Sequence, residues 1–154
     1  MKLRLFEEQD RAAFLDMCTD FYAGGAALHP IPRAQMEQSF QQIMDGSPYI
    51  QGFLFLEEGQ VAGYALVYPF YSNEMGGLCL MLEEIYIKPQ FRGRGLGGQY
   101  LQQVAKAFGR PVAGLKLEVC PENEGARKLY ERSGFHPLAY QSMVKTLPEN
   151  GDSR

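Results

Sequence analysis

Cysteine and histidine are scarce in this chain of 154 residues, with three of the first and two of the second. Cys18, Cys79 and Cys120 lie far apart and form no CxxC pair, which argues against a zinc site and against a disulfide framework. Free thiols suit a reducing compartment. His29 and His136 join no serine–aspartate set and no metal-binding cluster. No apolar run approaches membrane-spanning length, and acids appear at Glu7 and Glu8 before any apolar stretch, so no secretory leader is read. Charge of one sign is also lacking. A net charge of −3 speaks against nucleic acid or an acidic membrane as the main partner. The expected compartment is the cytoplasm, and no nucleic-acid or membrane partner is expected.

An apolar fraction of 45% and a charged fraction of 21% are ordinary globular values. The length suits one domain, here read as residues 1–148, with a frayed polar tail over 149–154. The start, Lys2 to Phe6, reads as a short strand. Phe14, Met17, Cys18 and Phe21 recur at helical spacing within a helix from about Glu8 to Tyr22, ended by Gly24-Gly25. The prolines in His29-Pro30-Ile31-Pro32 exclude helix interior, and a second helix follows over Arg33 to Met44. Gln51 to Leu56 and Val61 to Phe70 flank a hairpin turn at Glu57-Glu58-Gly59-Gln60. A long strand covers Leu78 to Lys88. A glycine-rich turn leads into a helix over Gly95 to Phe108, then a strand over Leu115 to Val119. A short helix from Glu122 to Ser133 ends at Gly134, and two closing strands are expected at Phe135 to Ala139 and Ser142 to Leu147. The class is α/β, with a mixed, mostly antiparallel sheet flanked by helices: strand, two helices, three strands, helix, strand, helix, two strands.

The turn Gln90-Phe91-Arg92-Gly93-Arg94-Gly95-Leu96-Gly97-Gly98 carries the main functional signal. Its glycines let several backbone N–H groups converge, the following helix adds its positive dipole end, and Arg92 and Arg94 add charge. Such a turn suits a pyrophosphate. Gly93, Gly95 and Gly98 also spell G-x-G-x-x-G, with Glu118 about 20 residues on, which keeps a dinucleotide domain in view. Against it, too little chain follows residue 93 for a Rossmann repeat, and Glu118 is expected inside its strand. No Gly-Lys-Ser/Thr ending makes this a P-loop.

Arg92-x-x-Gly95-x-Gly97 resembles the Q/R-x-x-G-x-G/A turn of the GNAT acetyltransferases, and Asn123-x-x-Ala126-x-x-Leu129-Tyr130-x-x-x-Gly134-Phe135 resembles that family's second hallmark. Together these motifs cover about 50 of the 154 residues. The resemblance implies acetyl-CoA as acyl-donor cosubstrate. It places pantetheine against the backbone of Ile85, Tyr86 and Ile87. It places the pyrophosphate at Arg92, Gly93, Arg94, Gly95, Leu96, Gly97 and Gly98, with Asn123 and Tyr130 nearby. The implied reaction is direct attack by an amine in a ternary complex.

That reaction needs a neutral amine, a stabilised oxyanion and a proton for the departing thiolate. By the resemblance Tyr130 is the acid, and a phenol is protonated at neutral pH. The candidate bases are Glu83, Glu84 and Glu118. Glu83 and Glu84 interrupt an apolar strand, where a carboxylate must be paired, hydrated or raised in pKa. Strand alternation sends the two to opposite faces, so one is expected to reach the substrate. Leu82-Glu83-Glu84-Ile85-Tyr86-Ile87 resembles the L-E-D-hydrophobic-aromatic-V of polyamine-type acetyltransferases, which favours Glu83. Leu117-Glu118-Val119 resembles the glutamate of the ribosomal-protein alanine acetyltransferases, which favours Glu118. Both stay open.

The resemblance implies that the first half of the chain and the hairpin after Val61 shape the acceptor pocket. Here they offer His29, the aromatics Phe21, Tyr22, Tyr68, Phe70 and Tyr71, and the acids Glu37 and Glu74. Aromatics and carboxylates suit a cationic amine. A small-molecule primary amine is the expected partner, and a homodimer is compatible. The alternatives are a peptide or protein amine and a non-catalytic CoA-binding domain.

Overall fold

The computed structural model describes residues 1–24 and 29–147. Gly25 at the expected helix end and the tail over 149–154 lie outside the described residues. Strand β1 (Lys2–Leu5) is followed by helices α1 (Arg11–Ala23) and α2 (Arg33–Met44), then strands β2 (Gln51–Glu57), β3 (Gln60–Ser72) and β4 (Gly77–Ile87). Helix α3 (Leu96–Ala107), strand β5 (Gly114–Leu117) and helix α4 (Glu124–Arg132) complete the set. The sheet runs in the order β1-β2-β3-β4-β5. Its first three pairings are antiparallel and the last, β4 with β5, is parallel. A sheet with one parallel pairing is not the doubly wound sheet of a dinucleotide domain.

Two apolar layers cover the faces of this sheet. On one, Phe6, Phe14 and Phe40 stack with centroids 5.2 to 5.8 Å apart, and Phe14 meets Tyr64 edge to face at 5.1 Å. This layer joins α1 and α2 to Leu54, Leu66 and Tyr86. On the other, Leu96, Tyr100, Leu101 and Val104 of α3 pack on Phe53, Phe55, Ala65, Val67, Leu80 and Leu82. The spacing of these α3 residues is the helical repeat read in the sequence. The β2–β3 hairpin turns where it was expected: Glu57 pairs with Gln60, with Glu58 and Gly59 both at positive φ.

Three expectations are corrected. The segments 135–139 and 142–147 form no strand. Pro137 supplies no N–H to a ladder, which removes a hairpin partner for the stretch after it. Met143 and Val144 are left 93% and 95% exposed, despite a strand-like pattern. Second, β5 ends at Leu117, so Glu118 stands just past the strand end.

The third correction concerns β4. Leu66 pairs with Glu84 and Val67 with Leu82, so Glu83 is an extra residue opposite a continuous β3. This is a β-bulge. Leu82 and Ile85 both pack on the α3 side, three residues apart, which strict alternation forbids. The bulge absorbs the mismatch and turns Glu83 and Glu84 toward the same side.

Candidate active site

The bulge is also where the sheet opens. Parallel pairing of β4 with β5 runs from Cys79–Gly114 to Leu82–Leu117 and stops there. From Glu84 to Ile87, β4 stays paired with β3 on its other edge. Toward β5, the backbone of Ile85, Tyr86 and Ile87 therefore has no strand partner. A wedge-shaped opening between two diverging strands is a place where an extended chain can add its own hydrogen bonds. The side chains of Ile85 and Ile87 face the α3 layer, whereas the Tyr86 ring is buried in the α1–α2 layer with its hydroxyl donating to Asp20 at 3.2 Å. Tyr86 offers this opening its main chain and no side chain.

At the end of β4 the turn leads into α3. Gly93 and Gly95 adopt φ of 74° and 76°, a left-handed conformation that other residues take at a cost. Gly95 is the N-cap of α3 and has no side chain to satisfy the first-turn N–H groups. Nothing lies within 4 Å of where a Cβ at Gly93 or Gly95 would stand. Exposed Arg92 and Arg94 flank them. Arg92 Nε donates to the Ile87 carbonyl at 2.8 Å, and Arg94 to that of Gln90 at 3.1 Å. First-turn amides without a side-chain cap, an open approach and two cations suit an anion. Leu96 is buried and can contribute only its N–H. Gly97 also leaves room for a neighbour: a Cβ there would meet the Leu129 side chain of α4 at 2.8 Å.

Helix α4 holds the second motif. Asn123 is its N-cap, and its Oδ1 accepts from the Ala126 N–H at 3.2 Å, a structural role. At the other end Gly134 (φ 91°) donates to the Glu131 carbonyl and Phe135 to that of Tyr130, the paired bonds of a Schellman cap. Tyr130 is half-buried, and desolvation raises its phenol above the usual value, so it is a proton donor at neutral pH. Tyr130 and Glu118 line one groove beside β5, together with Arg127, His136 and others.

On the opposite side of the bulge lies a cavity of about 220 Å³ between α1, α2 and the strands. Glu83, Glu84, Tyr22, Ser39, Tyr49 and Tyr68 supply polar groups to its lining. Of the aromatics expected there, Tyr22 and Tyr68 line it. Tyr71 is 72% exposed, Glu37 pairs with Arg33 on α2, and His29 is exposed outside it. Glu83 is exposed as a residue, but its carboxyl sits among enough protein for burial to raise its pKa, followed by the charges of Glu84 and Glu118. The structure thus brings Glu83 and Glu118 within electrostatic reach across the opening.

Glu84 is buried. Its Oε1 accepts from Tyr22 Oη at 2.7 Å, and its Oε2 accepts from Tyr64 Oη at 2.6 Å and from the Cys18 thiol at 3.9 Å. Burial raises its pKa, and the three donors pull it back. The same carboxylate helps push the Cys18 thiol up to about 12, behind the larger effect of burial. Sequence reading missed Tyr64 and Cys18 here, because both occupy positions that read as ordinary core.

The Acetyltransferase (GNAT) family model matches residues 11–135. The chain belongs to the GNAT family. Among curated GNAT relatives, the thialysine N-epsilon-acetyltransferase of Bos taurus is 38% identical over 79 residues, covering 51% of this chain and 46% of that protein. The chain spans about half the length of the curated thialysine N-epsilon-acetyltransferases it matches. A solved structure of a possible acetyltransferase from Clostridium difficile 630 superposes with a TM-score of 0.81 at 12% identity, covering 96% of this chain and 97% of that one. Aminoglycoside N-acetyltransferase AAC(6')-Iy in complex with CoA superposes with a TM-score of 0.76 at 17% identity, covering 94% and 93%. At these identities the likeness is one of fold, and the fold is that of GNAT acetyltransferases.

Proposed function

We propose that this GNAT protein transfers an acetyl group from acetyl-CoA to a primary amine of a small molecule, by direct attack in a ternary complex. The observation that carries this reading is the opening of β4 from β5 at the Glu83 bulge. It joins an anion cradle on one side to a carboxylate-lined cavity on the other. The cradle at Gly93 to Gly98 suits the pyrophosphate, and the free edge of Ile85 to Ile87 suits the amide groups of pantetheine. This would bring the thioester to the bulge.

The amine enters from the cavity as an ammonium, drawn by the carboxylates of Glu83 and Glu84. Glu83 takes its proton, directly or through a water. The freed lone pair attacks the thioester carbonyl, forming a C–N bond. Collapse of the tetrahedral intermediate breaks the C–S bond, the electron pair leaves on sulfur, Tyr130 protonates the thiolate, and the nitrogen gives up its second proton to solvent. Solvent exchange returns the Glu83 proton to Tyr130. Glu83 is favoured over Glu118 because it lines the acceptor cavity itself. The chain's similarity to a thialysine acetyltransferase and the fold it shares with an aminoglycoside acetyltransferase support a small, amine-bearing acceptor.

Initial-rate kinetics with both substrates varied test this order. Intersecting double-reciprocal lines are expected from a ternary complex. Parallel lines would instead indicate an acyl-enzyme and overturn direct attack. Calorimetry should find acetyl-CoA binding where NAD does not, and preferential NAD binding would overturn the assignment of the turn.

A further inference from the structure

The mechanism above uses Glu83 and leaves its neighbour unexplained. Burying a carboxylate is unfavourable unless donors satisfy it, and a core position of this kind could have held an apolar residue. Glu84 instead receives three donors from two elements: Cys18 and Tyr22 of α1, and Tyr64 of β3. All three act as donors, and an environment of donors suits the ionised form, which only accepts. No lysine or arginine lines the cavity among the described residues, so no cation there neutralises it. The bulge then sets this charge immediately beside Glu83 and on the same side of the sheet.

We propose that Glu84 is a positioning residue for acyl transfer: held by Tyr22 and Tyr64, it keeps a fixed negative charge at the bulge that makes Glu83 a stronger proton acceptor for the incoming ammonium. The inference rests on the reading of Glu83 as the base. The other titratable groups facing this pair are Tyr68 of β3, Tyr49 ahead of β2 and Glu118 past β5. Glu118 acts in the same direction as Glu84 but is exposed, so solvent screens it more. Helix α2 contributes Met36 and Ser39 to the cavity, neither of which titrates near neutral pH. Burial is the largest cause of the raised Glu83 pKa and the Glu84 charge is the next. An ordinary carboxylate is a poor match for an ammonium proton, and lifting its pKa toward the working pH improves proton transfer.

The test is Glu84→Gln, read in two independent ways. Carbon-13 NMR of labelled glutamate side chains, with the Glu83 signal assigned by its loss in Glu83→Gln, gives the Glu83 titration midpoint. The pH profile of kcat/KM gives its acidic limb. In Glu84→Gln both should move to lower pH by roughly one pH unit, the size expected for removing one nearby charge, and kcat at the optimum should fall several-fold. Tyr22→Phe removes one donor at the cavity edge, makes Glu84 easier to protonate and should move both in the same direction by less. It carries the test if Glu84→Gln does not fold. A Glu83 midpoint unchanged in both variants, with Glu83→Gln still abolishing the acidic limb, would overturn the role of Glu84 and leave the base in place. An acidic limb that survives Glu83→Gln would overturn the base assignment, and the inference with it.

Discussion

Phe135 donates its backbone N–H to the carbonyl of Tyr130 at 3.0 Å, and the two rings stand edge to face with centroids 5.9 Å apart. The cap that ends α4 thereby fixes the direction of the tyrosine ring from both its main chain and its side chain. Phenylalanine at position 130 keeps both contacts and loses only the hydroxyl. Tyr130→Phe is expected to unfold at nearly the wild-type temperature, bind CoA with nearly unchanged affinity and lose about 100-fold in kcat. Full kcat in this variant would reduce Tyr130 to a packing residue.

Gly95 and Gly97 separate binding from packing within one turn. Gly95 has open space around it, so Gly95→Asp places a carboxylate in the cradle, and acetyl-CoA affinity measured by calorimetry should fall strongly. Its left-handed φ adds a stability cost of about 1 kcal/mol. Gly97→Ala instead presses on the end of the Leu129 side chain, and with alanine's better helix propensity the net destabilisation in urea unfolding should be about 0–1 kcal/mol. Trimming the partner in Gly97→Ala/Leu129→Ala should give a smaller total loss than the sum of the single variants. Simple additivity would mean that the α3–α4 approach does not depend on this contact.

Much of this arrangement was legible in the sequence. Gly134 is legible because a helix that ends in a left-handed C′ residue favours glycine, and Gly95 because a glycine-rich turn stands directly before the apolar helical repeat of α3. The face of α3 followed from its apolar spacing. The bulge was not legible. Glu83 and Glu84 interrupt an otherwise apolar run that has no glycine or proline beside them to announce an extra residue. The period-2 rule therefore assigned them to opposite faces. Nor could the sequence pair Glu84 with Tyr64 and Tyr22, which lie 20 and 62 residues away and meet it only through the sheet and α1. In the other direction, the pattern over 142–147 suggested a strand, but a pattern supplies no ladder partner.

Glu83 and Glu118 can be separated by pH. An amine of pKa near 10 is only about 0.1% neutral at pH 7, so a base matters most at low pH. Glu83→Gln should lose most activity at pH 6–7 and recover part of it near pH 9, where free amine is abundant. Glu118→Gln should show a smaller loss without that recovery. The reverse pattern would move the base to Glu118.

The buried carboxylate predicts a pH-dependent stability defect. Because the folded state raises the Glu84 pKa, ionising it opposes folding at neutral pH, and that opposition fades as pH falls through the raised value. Tyr64→Phe removes one donor and raises the pKa further. Its destabilisation, about 1–3 kcal/mol at pH 7, should shrink on going to pH 5. Urea unfolding at the two pH values measures this. A defect that is constant or grows on acidification would contradict an ionised Glu84 held by Tyr64.

The proposed reaction is acetyl transfer to an amine delivered through the cavity beside Glu83. Its most direct measurement is free-thiol release from acetyl-CoA across a panel of small primary amines, each compared with a no-amine control and with Tyr130→Phe. Amine-dependent thiol release at a saturable rate is expected, with a matching N-acetylated product by mass spectrometry, sharply reduced in the variant. Acetyl-CoA that binds tightly while no amine in the panel raises thiol release above the control would contradict it and favour a non-catalytic CoA-binding domain.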